Sequence, residues 1–161
     1  MGIEIQQTKG NINMATVKQF EELGVWQDSR QLVRAIYSVS KQRTFYRDCS
    51  LRDQIRRAAT STMSNIAEGF ERATRKEFVH FLNISKASNG EVRSQVYVAR
   101  DQGYVSEREF ESLRESAISL SRRLSSFIRY LESCAGNSRV RKICDHQPAK
   151  PATFNQQPAT P

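Results

Sequence analysis

The sequence predicts an all-α fold, an antiparallel up-down four-helix bundle, and three observations lead to this prediction. Apolar residues return every three or four positions through the middle of the chain, which is the period of an amphipathic helix. No stretch there shows the strict alternation of a β-strand. All four prolines lie at or beyond Pro148, so none interrupts a helix in the middle of the chain.

Composition divides the 161 residues into three parts. Residues 1–15 lack a hydrophobic period and are predicted to form a flexible N-terminal extension. Residues 16–136 are predicted to form the bundle, a single domain large enough to bury one core. Residues 137–161 are basic, rich in proline and poor in apolar side chains, so we predict a disordered tail.

Apolar stripes define the first two helices. The first carries on one side Trp26, Val33, Ile36, Tyr37 and Ser40. Residues 43–50 break this pattern, and Ser50 with Asp53 forms an approximate capping box for the second helix. The buried face of the second helix is predicted to comprise Leu51, Ile55, Ala58, Ala59, Thr62, Ile66 and Phe70.

Capping boxes of the form S/T-x-x-E begin the third and fourth helices, at Thr74–Glu77 and Ser106–Glu109. Gly103 is expected to end the third helix and Gly136 the fourth. The third helix is predicted to bury Phe78, Phe81, Leu82, Ser85, Val92, Val96 and Ala99. The fourth is predicted to bury Phe110, Leu113, Ala117, Leu120, Leu124, Phe127, Ile128 and Leu131.

Asn65, Glu68 and Gly69 lie where the second helix is expected to end. Gly69 is predicted to be a C-terminal cap with positive φ, while Asn65 and Glu68 hydrogen-bond the loop backbone. We therefore assign them, with Thr74 and Glu77, to a structural turn. The alternative is a catalytic site, but the sequence implies no second acid, nucleophile or metal partner for the carboxylate.

The sequence shows no motif that indicates an enzyme or a cofactor. The E-x-x-H arrangement from Glu77 to His80 occurs once, where a di-iron bundle requires two copies. Cys49, Cys134 and Cys144 are odd in number and widely spaced, which favours a reducing, cytoplasmic location over a disulfide framework. No apolar run is long enough for a membrane span. We predict no catalytic residues, no metal, no cofactor and no contact with a membrane.

Positive charge is the strongest chemical signal, because 25 Lys and Arg residues face 17 Asp and Glu residues, for a net charge of +8. Arginine binds phosphate through two parallel hydrogen bonds and stays charged, so we predict binding of RNA or DNA. The predicted contact residues are Arg52, Arg56, Arg57, Arg72, Arg75, Lys76, Arg122 and Arg129. The alternative is a solvated surface of i,i+4 ion pairs, such as Asp53–Arg57 and Glu68–Arg72. We expect phosphate contacts to dominate, without an aromatic stacking platform among the basic residues.

Residues 51–113 closely resemble the four-helix-bundle proteins known as 23S ribosomal RNA intervening-sequence proteins, and residues 20–37 resemble their first helix. The most specific stretches are QIRRA at 54–58, NIAEG at 65–69, and KEF with FL within 76–82. The resemblance implies a homo-oligomer, commonly a pentamer, without known enzymatic activity. The family is similar in fold to the accessory variability proteins of diversity-generating retroelements, which form basic pentamers that contact RNA and a reverse transcriptase.

Three functions stay open at this point. The first is a non-enzymatic oligomer that binds RNA or DNA. The others are an accessory subunit of another protein, such as a reverse transcriptase, and a self-assembling scaffold. Apolar positions beyond one core stripe, among them Val25, Leu32 and Val39, would leave exposed patches on a monomer and so support self-association.

Overall fold

The computed structural model describes residues 17–72 and 74–134. In this part of the chain the ordered elements are helices, without a strand, as the sequence predicts. A 3₁₀ turn at Phe20–Glu22 precedes α1 (Gly24–Val39), α2 (Arg43–Arg47), α3 (Cys49–Glu71), α4 (Arg75–Asp101) and α5 (Glu107–Ser133). The four long helices are the predicted ones. The short helix α2 was not predicted, since residues 43–50 were expected to be a break.

Some predictions fall on residues that the structure does not describe. The N-terminal extension 1–15, the tail 137–161 and the end of the last helix at Gly136 lie outside the described residues. The homo-oligomer also stays a prediction.

The long helices form an antiparallel bundle in which α3 packs on α4, α4 on α5, and α1 against both α3 and α5. Side-chain contacts show the directions. Arg75 Nη1 donates a hydrogen bond to the Cys134 carbonyl at 2.7 Å, which joins the start of α4 to the end of α5. Asp28 near the start of α1 pairs with Arg123 near the end of α5. Adjacent helices therefore run in opposite directions.

Three of the four predicted core faces are confirmed. On α3, α4 and α5 every predicted residue is buried except Phe70, Phe81 and Phe127, which are half-buried at the margins of the core. Polar side chains cross the same core: Ser85 Oγ donates to the Thr62 carbonyl at 2.7 Å, and Asn89 Nδ2 donates to the Ala117 carbonyl at 2.7 Å. These bonds join α4 to both of its neighbours, while the buried Asn89 Oδ1 has no hydrogen-bond partner within the described part of the chain.

The predicted core face of α1 is correct only at Ile36 and Ser40, which are buried. The helix buries Val25, Ser29, Leu32, Ile36 and Val39. Val25, Leu32 and Val39 therefore fill the core and supply no surplus apolar surface, which removes them as support for self-association.

The side of α1 that carries Trp26, Val33 and Tyr37 lies at the margin of this core. Trp26 and Val33 are half-buried and Tyr37 is exposed. The aliphatic stripe packs inward because Trp and Tyr each carry a polar group that favours a position in reach of water. Trp26 packs edge-on against Phe20, with ring centroids 5.1 Å apart.

The helix caps follow the predictions in part. Ser106 and Glu109 form a complete capping box, and Gly103, with φ +68°, follows the end of α4. Thr74 Oγ1 accepts the Glu77 amide hydrogen bond at 3.2 Å, as predicted.

The cap of α3 differs from the prediction. Asp48, rather than Ser50, caps the helix, because its Oδ1 accepts the Leu51 amide at 3.0 Å. Ser50 and Asp53 lie within α3. Aspartate is among the strongest N-cap residues, which explains the earlier start of the helix.

Gly69 is a helix-contact residue and not a cap, so this prediction is wrong. Among the described residues only Gly103 has positive φ, and α3 continues to Glu71. A Cβ atom at Gly69 would lie 2.6 Å from the Phe81 Cβ and 2.9 Å from the Phe78 Cδ2. Glycine is required there because α4 approaches α3 too closely for a side chain.

Asn65 and Glu68 also lie inside α3, and among the described residues neither bonds the loop backbone. Asn65 Nδ2 donates to the carbonyl of Ser61 at 2.7 Å and to its Oγ at 3.0 Å. The Ser61 Oγ in turn lies 3.0 Å from the Ser88 Oγ of α4. Glu68 forms the predicted i,i+4 pair with Arg72 at 2.5 Å. These residues stabilise α3 and its contact with α4 instead of shaping a turn.

Candidate nucleic-acid interface

The net positive charge of the described chain is concentrated in one segment. Residues 30–57 contain eight Arg or Lys and two Asp, for a net charge of +6. The other described residues contain twelve basic and thirteen acidic side chains, for a net charge of −1. The segment comprises most of α1, all of α2 and the first turns of α3, which meet at one end of the bundle. We name residues 30–57 the basic corner.

A buried aromatic side chain holds α2 in this corner. Phe45 is 0% exposed and stacks on Tyr104, with ring centroids 5.2 Å apart. Gln42, the residue before α2, donates a hydrogen bond from Nε2 to Glu109 Oε1 of α5 at 2.7 Å. Because Phe45 lies in the core, its neighbour Tyr46 is on the outside and 53% exposed.

Two of the predicted arginines, Arg52 and Arg56, lie over tyrosine rings in the corner. The Arg52 guanidinium is 4.7 Å from the Tyr46 ring centroid, and its Nη1 donates to the Tyr46 carbonyl at 2.9 Å. The Arg56 guanidinium is 4.8 Å from the Tyr37 ring centroid. It also donates to the Ser40 Oγ at 2.7 Å and to the Ser40 carbonyl at 2.9 Å, which satisfies a carbonyl at the end of α1.

Asp53 pairs with Arg52, at 2.7 Å, and not with Arg57 as predicted. The backbone contact of Arg52 holds its guanidinium beside the carboxylate. The hydrogen bond from Arg52 is the main reason that the pKa of Asp53 lies below its ordinary value, and the same bond raises the pKa of Arg52. Arg57 is exposed and has no carboxylate partner among residues 17–72 and 74–134. The same holds for Arg30, Arg34, Lys41, Arg43 and Arg47.

Arg72, Arg75 and Lys76 lie at the opposite end of the bundle, at the turn between α3 and α4. Arg72 pairs with Glu68, and Arg75 bonds the Cys134 carbonyl at the end of α5. Lys76 is exposed. The structure therefore separates these three predicted residues from the three in the basic corner.

Arg122 and Arg129 are both exposed on α5. They line an open depression of about 430 Å³ together with Ser121, Ser125 and Ser126. Arg129 Nη2 donates to the Ser126 Oγ at 3.2 Å. The eight predicted residues thus form three groups on the molecule and not one continuous surface.

Sequence reasoning missed most of the basic corner. It expected no aromatic platform among the basic residues, yet Tyr37 and Tyr46 lie under the guanidinium groups of Arg56 and Arg52. A charge count in short windows would have found the cations of residues 30–57. The exposure of the tyrosines depends on which stripe of α1 is buried and on the formation of α2, and neither was predicted.

The described residues show no group of three or more His, Cys, Asp or Glu side chains placed to hold a metal ion. Within the same residues, no helix has the length and apolar character needed to cross a bilayer. The absence of catalysis and of a cofactor stays a prediction.

Comparison with known proteins agrees with the bundle. The family described as 23S rRNA-intervening sequence protein matches residues 21–126. A crystal structure of a protein of unknown function from the S23 ribosomal protein family of Bacteroides thetaiotaomicron is similar in fold, with a TM-score of 0.60 and 23% identity over 65% of this chain and 98% of that chain. No curated protein matches the chain. Because the family match covers most of the sequence, the chain belongs to the 23S rRNA-intervening sequence protein family.

Proposed function

We propose that the chain binds RNA or DNA through phosphate contacts, with the basic corner as its main binding surface, in the cytoplasm and without catalysing a reaction. The observation that supports this proposal is the distribution of charge: residues 30–57 carry +6 and the other described residues −1. A cluster of basic residues in one part of a domain is the electrostatic footprint of a nucleic-acid-binding protein.

The cations of the basic corner are free to contact phosphate. Arg34, Arg43, Arg47 and Arg57 are exposed and have no carboxylate partner within the described part of the chain. A phosphate that binds them does not have to displace an internal ion pair. Exposed cations without partners therefore favour binding more than paired ones do.

A salt titration of the full chain tests this proposal. Fluorescence anisotropy of a labelled RNA oligonucleotide and of a DNA of the same sequence measures the affinity between 50 and 200 mM salt. If about six phosphates are neutralised, counterion release weakens binding by about a thousandfold across this range. An affinity that stays constant over the range, or no binding at the lowest salt, contradicts the proposal.

Charge reversal locates the surface. The double variant Arg43→Glu/Arg47→Glu is expected to weaken binding and to reduce the salt slope by about two units, because each phosphate contact contributes about one. The matched control is Lys86→Glu/Arg93→Glu, which makes the same charge change at exposed positions of α4. An equal loss in both variants shows that only net charge matters and that the basic corner is not the site.

The alternatives, an accessory subunit of another protein and a self-assembling scaffold, give the opposite expectation for the titration. In both, nucleic acid is not the ligand, and low-salt binding is weak and insensitive to charge reversal in the basic corner. Assembly into a homo-oligomer, a pentamer by the family resemblance, is compatible with each function. A ring would multiply the number of basic corners that contact one nucleic acid.

A further inference from the structure

Two tyrosines of the basic corner remain exposed beside buried apolar neighbours. Tyr46 is 53% exposed although the adjacent Phe45 is 0% exposed, and Tyr37 is 37% exposed although the adjacent Ile36 is 0% exposed. We propose that Tyr37 and Tyr46 stack on unpaired bases, so that the basic corner prefers single-stranded nucleic acid to duplex. This inference rests on the proposed function and adds the class of nucleic acid.

The two rings are held in a fixed relation to the basic residues. Arg52 and Arg56, which lie over the rings of Tyr46 and Tyr37, are four residues apart on α3 and so share one face of that helix. Arg52 is fixed by its bonds to the Tyr46 carbonyl and to Asp53, at 2.9 and 2.7 Å. Both stacked pairs therefore exist before a ligand binds, which lowers the entropy cost of ordering side chains on binding.

The exposed tyrosine rings and guanidinium groups of the basic corner are suited to contact the bases of an unpaired strand. An aromatic ring or a guanidinium plane stacks on a base whose face is accessible, and every base offers such a face. In a duplex the faces are covered by neighbouring base pairs, so only the phosphates and groove edges remain for contact. The exposed cations Arg43, Arg47 and Arg57 of the same corner can bind phosphates of either form. The tyrosines, in contrast, contribute only when bases are unpaired.

Two other exposed tyrosines, Tyr97 and Tyr130, serve as internal controls. They lie outside the basic corner, and no guanidinium group of the described residues lies over their rings. Tyr97 is 42% exposed and Tyr130 is 41% exposed, close to the values of the corner tyrosines, but both lie outside residues 30–57. Tyr97 packs edge-on against Phe110, at 5.0 Å between centroids, and its hydroxyl accepts a hydrogen bond from Arg114 Nε at 3.2 Å. Among the described residues, Tyr37 and Tyr46 are the only tyrosines whose rings lie under a guanidinium group.

The test compares one labelled RNA oligonucleotide of mixed sequence, single-stranded and annealed to its complement, by fluorescence anisotropy with the full chain. Wild type is expected to bind the single strand more tightly. Tyr37→Ala/Tyr46→Ala is expected to weaken single-strand binding by about a hundredfold, about tenfold for each ring, and duplex binding by about twofold at most. Tyr37→Phe/Tyr46→Phe keeps both rings and should retain the affinity. Tyr97→Ala/Tyr130→Ala is the matched control and should have little effect.

Two further measurements separate stacking from unfolding and from charge. Thermal melting identifies any loss of fold in the alanine variant. In that case the wild-type comparison decides, because equal affinities for the single strand and the duplex contradict the stacking inference. The salt slope should be unchanged by the tyrosine substitutions, because stacking releases no counterions. Equal losses for single strand and duplex, loss in the Tyr97/Tyr130 control, or an unaffected alanine variant overturns the stacking inference alone. If wild type binds neither the single strand nor the duplex at low salt, the proposed function is overturned as well.

Discussion

The two ends of the bundle use arginine for different purposes. Residues 64–82, at the turn between α3 and α4, contain three basic and three acidic side chains, whereas residues 30–57 carry a net charge of +6. At the turn, Arg72 has a carboxylate partner and Arg75 a helix-end carbonyl. In the basic corner most cations have neither kind of partner among the described residues. A local run of arginines in a sequence therefore does not by itself identify a binding surface. The arginines that bond a carboxylate or carbonyl within the fold must first be excluded.

The ends differ in packing as well. At the turn, Gly69 lets α3 and α4 approach until a Cβ atom would lie 2.6 Å from its neighbour. In the basic corner, the extra helix α2 lies between α1 and α3 in the chain and adds exposed side chains around a single buried anchor, Phe45. The α3–α4 turn thus allows close contact between helices, whereas the basic corner exposes side chains that a ligand can contact. Three predictions test this contrast.

The largest effect is expected from Gly69→Ala. The new methyl group overlaps the Phe81 Cβ and the Phe78 ring. The Phe81 Cβ is bonded to the backbone, so it cannot move without displacing α4. Overpacking of this kind destabilises a protein by about 1–3 kcal/mol. Urea denaturation of wild type and variant measures the difference in the free energy of unfolding.

Gly90→Ala is the matched control for this substitution. Gly90 also lies inside a long helix, but no atom lies within 4 Å of its added Cβ. The change should stabilise the protein by about 0.5–1 kcal/mol, because alanine loses less backbone entropy than glycine on folding. Equal effects of the two substitutions show that helix propensity, and not close contact, determines the role of Gly69.

The second prediction separates structural from free cations at each end. Arg56→Ala and Arg75→Ala should each lower the free energy of unfolding by about 1–2 kcal/mol, because each leaves a helix-end carbonyl without its charged donor. Arg57→Ala and Lys76→Ala should leave it within about 0.5 kcal/mol, since both side chains are exposed. Denaturant titration of the four variants measures these differences.

Binding distinguishes the two free cations from each other. At low salt, Arg57→Ala should weaken nucleic-acid binding, by about three- to tenfold for one lost phosphate contact, while Lys76→Ala should not. If Lys76→Ala weakens binding as much as Arg57→Ala does, the turn between α3 and α4 belongs to the interface and the contrast between the ends fails.

Sequence periodicity predicted the fold well where one stripe per helix was apolar. The buried faces of α3, α4 and α5 follow from the spacing of apolar residues alone. Each of these helices has one apolar stripe, and only one orientation about the helix axis buries it. On α1 the pattern was ambiguous, because Val25 and Leu32 compete with Trp26 and Val33 for the core. Local pattern does not decide between two such stripes, because the choice depends on which of them fits the other three helices.

The candidate site was less predictable for a related reason. Gly69 was assigned to a cap because sequence shows a glycine near a helix end but not the distance to a neighbouring helix. Arg56 and Arg75 were assigned to a ligand although they bond carbonyls 16 and 59 residues away in the sequence. Such contacts exist only after folding. Composition and net charge, in contrast, can be read from the sequence directly because they do not depend on partners.

The smallest effect is expected from Glu109→Gln, which tests how the basic corner is attached to α5. Hydrogen bonds from the Ser106 backbone and hydroxyl lower the pKa of Glu109 below its ordinary value, with a smaller contribution from Gln42 before α2. A lowered pKa means that the charged carboxylate stabilises the fold above the unfolded pKa and that this stability is lost as the pH falls through the folded pKa.

Glu109→Gln should therefore lower stability by about 0.5 kcal/mol at pH 7 and have little effect at about pH 3. Melting temperatures at the two pH values measure the difference, with Glu115→Gln, an exposed glutamate in the middle of α5, as the control for charge. If the melting temperature falls equally at both pH values, the carboxylate charge of Glu109 does not contribute to stability and the prediction is wrong.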